Sequence, residues 1–385
     1  MTKIKILFRH RSMEMGGVEK VLLSMLNNLD KEKFDISLCL NLYQGELRNA
    51  IPSFIPTKVL AGGKEDFPKN KFLNKLFLIA RGIKLALYRT FPIIADKFIL
   101  KNNADVEVAT GYTMFSDVLN STNKNSKKIG WFHSDITFPK LQPIVPQLLS
   151  QIPKFDYFIF GSQQAKDIML ETYPDIQLPP HQVILNAIPI DELKTKALEF
   201  TPNFDTPHPV FVSVGRLHSR KGHHKLLEAH SQLLKEGIQH KIFIIGDGEE
   251  KENLEQKIKE LRVENSFILL GSLLNPYPYI KNANAFIMPS ESEGWPLVIA
   301  DTLILQTPII ATNVGGIPEM ITHKKNGYLT EYSTESIYQG MKEFLTNKQL
   351  QSEIRNNLTD SEKQFDNQKI FDSVEKILET LYKNQ

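Results

Sequence analysis

Twice along this chain, short and almost uninterrupted apolar runs alternate with segments of helical periodicity. In the first half the runs are Ile4–Phe8, Ile36–Leu40, Val106–Thr110, Ile129–His133 and Tyr157–Gly161. In the second half they are Val210–Gly215, Lys241–Gly246, Phe267–Gly271, Ala285–Pro289 and Ile309–Thr312. A strand with one face in water alternates apolar and polar residues, so continuous runs describe strands covered by helices on both faces. Helical patterns such as Val18–Leu29, Lys225–Gly237 and Lys251–Leu261 lie between them. Strand–helix alternation builds mostly parallel sheets from βαβ units. Two such sets predict two doubly wound α/β domains, and 385 residues are enough for two cores.

The stretch from Asn186 to Pro209 is polar and Pro-rich, which is linker chemistry. The expected division is an N-terminal Rossmann-like domain over 1–195, a second over 206–365 and a terminal segment over 366–385. No internal repeat or low-complexity tract interrupts this reading.

Composition narrows the class. Lys and Arg number 46 against 44 Asp and Glu, a net charge of +2, which argues against a dedicated nucleic-acid binder. Cys39 is the only cysteine, so no internal disulfide framework exists and a reducing, cytoplasmic setting is expected. The opening MTKIKILF is too short an apolar run for a signal-peptide core. No uncharged apolar stretch reaches the roughly 18 residues of a membrane span.

Open α/β sheets bind ligands at the carboxyl ends of their strands, and two facing domains of this kind offer a cleft between them. The chemistry-bearing residues follow strands. After Ile4–Phe8 comes Gly16-Gly17, ahead of a helix; glycines there admit a ligand to backbone N–H groups, or simply make a turn. After Val210–Val214 comes GRLHSRKG, in which Arg216 and Lys221 suit a diphosphate, though a solvated basic loop has the same composition. Gly246-Asp247-Gly248 reads as a turn. His218, His223 and His224 lack a carboxylate or thiol at ligand spacing and read as solvated or locally packed.

The third set is PSESEGWPLVIADTLILQTPIIATNVGGIPEMI, Pro289 to Ile321. Pro296 suits a helix start, so a helix is expected from about Leu297, with the free N–H groups of Leu297 and Val298 able to hold a phosphate. Glu293 and Asp301 are eight residues apart, just over two turns. Were Glu293 already helical, both carboxylates would share one face. Such acids accept bonds from sugar hydroxyls; either one alone reads as a cap or an exposed acid.

GRLHSRKG, the GDGEE turn and EGWPLVIADTLILQTPIIATNVGGIPE, in that order and spacing, resemble the family-4 retaining glycosyltransferases of the GT-B fold. Gly16-Gly17, FHSD at Phe132–Asp135 and NAIPID at Asn186–Asp191 fit as well, so the resemblance covers nearly the whole chain. It implies two Rossmann-like domains facing each other across a cleft, with the second binding a nucleotide sugar and the terminal helix crossing back to the first. It assigns Arg216 and Lys221 to the donor diphosphate and Glu293 to donor-sugar hydroxyls. Gly294, Trp295, Pro296, Leu297 and Val298 would wrap the sugar and distal phosphate, Asp301 would bind the ribose, and Leu273 would meet the base. His133 would contact the donor sugar near the reacting carbon. The family's second acid is usually Glu, so Asp301 implies a retracted carboxylate and weaker donor binding.

The implied activity is a retaining, metal-independent hexosyltransferase that moves a sugar from a nucleotide diphosphate sugar, UDP before GDP, to a cell-envelope glycan or lipid-linked acceptor. The rival is a non-catalytic nucleotide-sugar-binding paralogue. No cofactor or metal is expected: the chain contains no Asp-x-Asp, and neither a Walker A loop nor a full Gly-x-Gly-x-x-Gly is present.

Residues 69–101 carry eight Lys or Arg and one acid, Asp96. Leu73, Leu76, Phe77, Ala80 and Leu87 recur at helical spacing. A basic amphipathic helix suits an anionic membrane surface, which predicts peripheral contact at the inner face of the cytoplasmic membrane. The same pattern also describes a helix packed on its own sheet, and both can hold together.

Overall fold

The computed structural model describes residues 2–384. The chain divides into two compact units, residues 1–187 with 366–385, and residues 188–365.

The first unit is built on a seven-stranded, all-parallel sheet. Its strands are β1 (Ile4–His10), β2 (Phe34–Tyr43), β3 (Thr57–Gly62), β4 (Val106–Ala109), β5 (Lys127–Phe132), β6 (Tyr157–Phe160) and β7 (His181–Val183), in the order β3-β2-β1-β4-β5-β6-β7. Ile6 of β1 is flanked by Ile36 of β2 and Val106 of β4. The order reverses between β1 and β4, so the adjoining strand ends form the switch point where such sheets hold ligands. The β4 strand is buried along its length, consistent with helices on both faces. On one face Phe115 packs edge-on against Phe155 and Phe158, with centroids 5.0 and 5.7 Å away.

A buried ionic cluster ties β1, β4 and β5 together. Arg9 Nη2 lies 2.6 Å from Asp96 and 2.7 Å from Glu107, and Lys128 Nζ donates to Glu107 at 2.5 Å. Burial pulls the Arg9 guanidinium downward, but Glu107 and Asp96 more than offset this and hold it above its ordinary range.

Residues 69–101 do not form one helix. An α-helix runs over Lys71–Thr90, capped by the Asn70 side chain, and stops at Phe91 before Pro92. The ring of Pro92 disfavours helical geometry at the preceding residue, and Phe91 adopts φ −126°, ψ 74°. Ile94–Leu100 then winds as a π-helix. None of the twenty residues of Lys71–Thr90 is fully buried.

The final helix, Asn367–Lys383, belongs to the first unit. It buries Phe371, Val374, Ile377, Leu378 and Leu381, while Glu375 accepts from the Asp30 amide at 2.9 Å and pairs with Lys33 at 3.0 Å.

The second unit carries a six-stranded parallel sheet. Its strands are β8 (Val210–Val214), β9 (Lys241–Ile245), β10 (Phe267–Gly271), β11 (Ala285–Met288), β12 (Ile309–Thr312) and β13 (Tyr328–Thr330), in the order β10-β9-β8-β11-β12-β13. Its switch point falls between β8 and β11. The stretch expected as featureless linker contains a helix, Ile190–Lys196. That helix buries Leu193 and packs on Leu297–Ile304 and Tyr277–Asn282, so residues 188–195 belong to the second unit rather than the first. Three strands were not foreseen: β3, β7 and β13, all at sheet edges.

Candidate active site

Four loops leave the carboxyl edge of the second sheet, and their backbones interlock. After β8 the chain runs through Gly215 to Gly222, with Ser219–Lys221 as a 3-10 turn and the helix His223–Lys235 following. Gly222 has φ +67°, and a Cβ there would lie 1.9 Å from the Pro289 carbonyl oxygen, so only glycine fits both the turn and the approach. The Glu291 amide donates to Arg220 O at 2.7 Å, joining this loop to the one after β11. After β9 the GDGEE turn returns two bonds to the first loop, Leu217 N to Asp247 O and Glu250 N to Leu217 O, each at 3.0 Å.

The loop after β12 holds the loop after β11. Gly315 has φ +60°, and a Cβ on it would sit 2.0 Å from Glu293 O. Gly316 N donates to Gly294 O at 2.5 Å. The VGG sequence is therefore a backbone clamp on Glu293 and Gly294. Sequence reading quoted these glycines without giving them a role; only the loop contact reveals one.

The side chains sort as follows. Lys221 Nζ lies 2.6 Å from Glu293 Oε1, both largely buried, with Glu293 only 7% exposed. Arg216 is exposed and reaches Glu249 of the GDGEE turn at 3.6 Å. The two cations assigned to one anion thus have different carboxylate partners in this state. His218 Nε2 also approaches Glu249, at 3.4 Å.

The helix after β11 begins at Leu297, with Pro296 as its N-cap. Glu293 lies four residues earlier in irregular loop, so helical periodicity does not relate it to Asp301. That expectation fails because Pro296 starts the helix too late. Asp301 is 4% exposed within a helix whose other residues are apolar except Thr302. Leu297 and Val298 supply the N-terminal amides that a helix leaves without intrahelical acceptors. Trp295 is buried, edge-on to Phe365 at 6.2 Å, and acts as a packing residue beneath the loop. Ser290 Oγ, Ser292 Oγ and Trp295 Nε1 are buried without a partner among the described residues, an unmet polar demand in this same segment. Leu273 follows β10, half-buried, just past Gly271.

In the first unit, His133 follows β5. Its ring stacks on Trp131 at 5.3 Å and 23°. Burial, with some repulsion from His10, lowers its pKa to about 3, so the imidazole is neutral at ordinary pH. Gly16 is the N-cap of helix Gly17–Asn28, and Glu19 folds back over it: a Cβ at Gly16 would lie 2.3 Å from Glu19 Oε2. His10, at the end of β1, binds Thr110 Oγ1 through Nδ1 at 2.7 Å and places Nε2 3.6 Å from Glu19. Sequence reasoning missed His10 and Glu19. The available signal was a histidine ending a strand immediately before a glycine loop.

Among the described residues no group of three or more His, Cys, Asp or Glu is arranged to hold a metal. His223 is buried, with Nε2 3.3 Å from Ser213 Oγ, which makes it a packing residue. Also among the described residues, no helix is long and apolar enough to cross a membrane.

Comparison with known proteins places this geometry. Residues 194–361 match the family described as glycosyl transferases group 1. A Campylobacter jejuni protein named N-acetylgalactosamine-N,N'-diacetylbacillosaminyl-diphospho-undecaprenol 4-alpha-N-acetylgalactosaminyltransferase is 27% identical, over 93% of this chain and 95% of its own. An uncharacterized glycosyltransferase of Haemophilus influenzae is 25% identical over 87% of this chain and 88% of its own. Among solved structures, Anabaena HepE in complex with UDP-glucose superposes with a TM-score of 0.77 at 18% identity, covering 98% of this chain and all of that one. Sucrose-phosphate synthase from Thermosynechococcus elongatus gives 0.73 at 15% identity, over the full length of both. At these identities the structural likeness establishes the fold, which is GT-B.

Proposed function

We propose that this chain, whose residues 194–361 match the group 1 glycosyl transferases, moves a hexose-type sugar from a nucleoside diphosphate sugar, uridine favoured, to a lipid-linked or cell-envelope glycan. The observation that carries this reading is the clamped Glu293 facing Lys221 at the carboxyl edge of the second sheet. A cation for a diphosphate and a carboxylate for sugar hydroxyls stand together, at the site such sheets reserve for nucleotides.

In the proposed reaction the bond from the anomeric carbon to the diphosphate breaks with retention of configuration. Negative charge develops on the leaving phosphate. Lys221, Arg216 and the N-terminal amides of Leu297 and Val298 stabilise it, in place of a divalent metal. Arg216 must exchange Glu249 for phosphate, which its exposure permits. Glu293 orients the sugar, Gly294 to Pro296 shape the pocket, Asp301 holds the ribose and Leu273 meets the base. The neutral imidazole of His133 offers substrate a hydrogen bond without adding charge. Gly16 and Gly17 give substrate close access to backbone. The acceptor's proton passes to the departing phosphate, whose oxygens gain negative charge as the bond to the anomeric carbon breaks.

The Campylobacter relative is named for a diphospho-undecaprenol-linked substrate, which favours a lipid-linked acceptor here. The exposed apolar and basic surface of Lys71–Thr90 supports peripheral contact with the inner face of the cytoplasmic membrane.

Calorimetric titration with UDP, GDP and ADP sugars, followed by nucleotide release in the presence of acceptor, tests the reading. Selective binding, acceptor-dependent release unaffected by chelator, and an anomerically retained product are expected. Binding without turnover over any acceptor would instead indicate a nucleotide-sugar-binding paralogue.

A further inference from the structure

Lysines gather at the amino edge of the first sheet, away from the edge where such sheets hold substrates. Lys128, near the start of β5, and Asp156, just before β6, line a pocket of about 310 Å³, at the lower end for small-molecule sites. Five residues of extended strand separate Lys128 from His133, about 16 Å, so a small ligand here cannot also touch His133.

The charges of this pocket do not cancel. Lys124, Lys128 and Lys154 line it against one carboxylate, Asp156. Lys128 is spent inward: its ammonium donates to Glu107 at 2.5 Å, to Asn123 O at 3.0 Å and to Ser126 Oγ, which uses all three of its protons. Asp156 is engaged too, accepting from the Lys128 amide at 2.8 Å and lying 3.5 Å from Lys127 Nζ. Lys124 gives one bond, to Ser121 O at 3.0 Å, and keeps two protons. Lys154 has no hydrogen bond or ion pair among the described residues. The charges of Lys124 and Lys154 are therefore left over, with no free carboxylate in the wall to meet them. Both side chains are exposed, and an ammonium is a compact charge that suits phosphate oxygens.

Acceptors line the same space. Gln151 ends helix Val145–Gln151, and its Nε2 donates to Ser116 Oγ at 2.7 Å. Its Oε1 is buried without a partner among the described residues, a demand for a donor that no lysine meets. Leu119 and Asn120, at the carboxyl end of helix Phe115–Leu119, line the pocket as well, and a helix leaves its last carbonyls without intrahelical partners. A bare anion would satisfy the lysines and strand these acceptors. A neutral sugar would do the reverse. A molecule with a phosphate at one end and hydroxyls at the other answers both, and the volume suits one phosphorylated sugar ring better than a whole nucleotide sugar.

We propose that this pocket is a further ligand site, for a phosphorylated monosaccharide, at the opposite edge of the sheet from His133. Lys124 and Lys154 hold the phosphate, and Gln151 Oε1 accepts from a sugar hydroxyl. The inference goes beyond the transfer reaction and does not depend on it.

Calorimetric titration of the full chain with glucose 6-phosphate, inorganic phosphate and glucose tests it. Glucose 6-phosphate should bind about tenfold more tightly than phosphate, the worth of one hydrogen bond to the buried amide, and glucose should give no signal. Lys124→Gln with Lys154→Gln should weaken glucose 6-phosphate about tenfold. Lys58→Gln with Lys97→Gln, at two exposed lysines elsewhere in the first unit, makes the same change of charge and should leave binding unaltered. Gln151→Met removes the acceptor at similar volume; it should bring glucose 6-phosphate to the affinity of phosphate and leave phosphate itself unchanged. Thermal melts show that each variant is folded. A phosphorylated sugar also resembles part of the proposed donor, so Lys221→Ala is the discriminating control: binding that survives it belongs to the pocket, and binding that disappears with it overturns the proposal. Equal affinity for phosphate and glucose 6-phosphate, undiminished binding in the Lys124, Lys154 double variant, or no binding at all would also overturn it. Nucleotide-sugar binding and turnover are measured separately, so failure of the transferase reading and failure of this site are told apart.

Discussion

Lys221 Nζ and Glu293 Oε1 lie 2.6 Å apart, joining the loop after β8 to the loop after β11. The pair neutralises two groups that a ligand would otherwise meet singly. Removing one side therefore has two effects. Lys221→Ala strands a largely buried carboxylate, at a cost of about 1–3 kcal/mol, and removes the proposed diphosphate contact, which should weaken donor binding about 10- to 100-fold. Lys221→Met with Glu293→Gln should recover most of the stability and none of the activity. Thermal melts and calorimetric titration of the same samples separate the two.

Gly315 should tolerate no side chain. Gly315→Ala places a Cβ 2.0 Å from Glu293 O and forces a left-handed conformation, worth about 1 kcal/mol before the clash is relieved. Relief moves Glu293, so donor affinity should fall more than the melting temperature suggests. A variant with unchanged donor affinity would show that the clamp has no role in positioning.

Acid should destabilise the second unit before its carboxylates titrate. Burial lowers His223 and His230 to about 3 and His240 to about 4, from an ordinary 6.5. His230 Nδ1 meets His240 Nε2 at 2.8 Å, so one ring donates and the other accepts, and the accepting nitrogen must be unprotonated. The unfolded chain takes protons first as pH falls, so stability is full above about 6.5 and is lost progressively down to about 3. Urea midpoints between about pH 7.5 and 5 should decline, and His223→Gln should flatten the slope.

The Arg9 cluster makes a prediction for the first unit. Arg9→Met leaves Asp96 and Glu107 buried without their cation, and the loss should be about 3–5 kcal/mol, as for other broken buried pairs. A much smaller drop in melting temperature would mean that Lys128 alone can hold Glu107.

Cys39 should be inert while the first unit is folded. It is fully buried in β2, and burial pushes its thiol up to about 12. Labelling by a thiol reagent should be undetectable in native conditions and should track unfolding in urea. Fast native labelling would place β2 at a fraying edge.

Much of this molecule is written in local pattern. Strands covered on both faces must be apolar throughout, so β1, β2, β4 to β6 and β8 to β12 are visible as runs, and their alternation with helices implies parallel sheets. Three of the four edge strands, β3, β7 and β13, are not visible, because their residues (TKVLAG, HQV and YLT) form no continuous apolar run; β7 has no buried residue at all, whereas the fourth edge, β10, is visible because FILLG is apolar. Loop composition after β8 and β11 marked Arg216, Lys221 and Glu293, since charged residues following buried strands stand at the sheet's ligand edge. Tertiary structure alone decided their partners. Lys221 faces Glu293 while Arg216 faces Glu249, Gly315 clamps Glu293 from a loop over twenty residues away, and Pro296 delays the helix that would have aligned Glu293 with Asp301. Periodicity relates residues within one element. Which side chains meet across loops depends on strand order, and strand order is a property of the whole sheet.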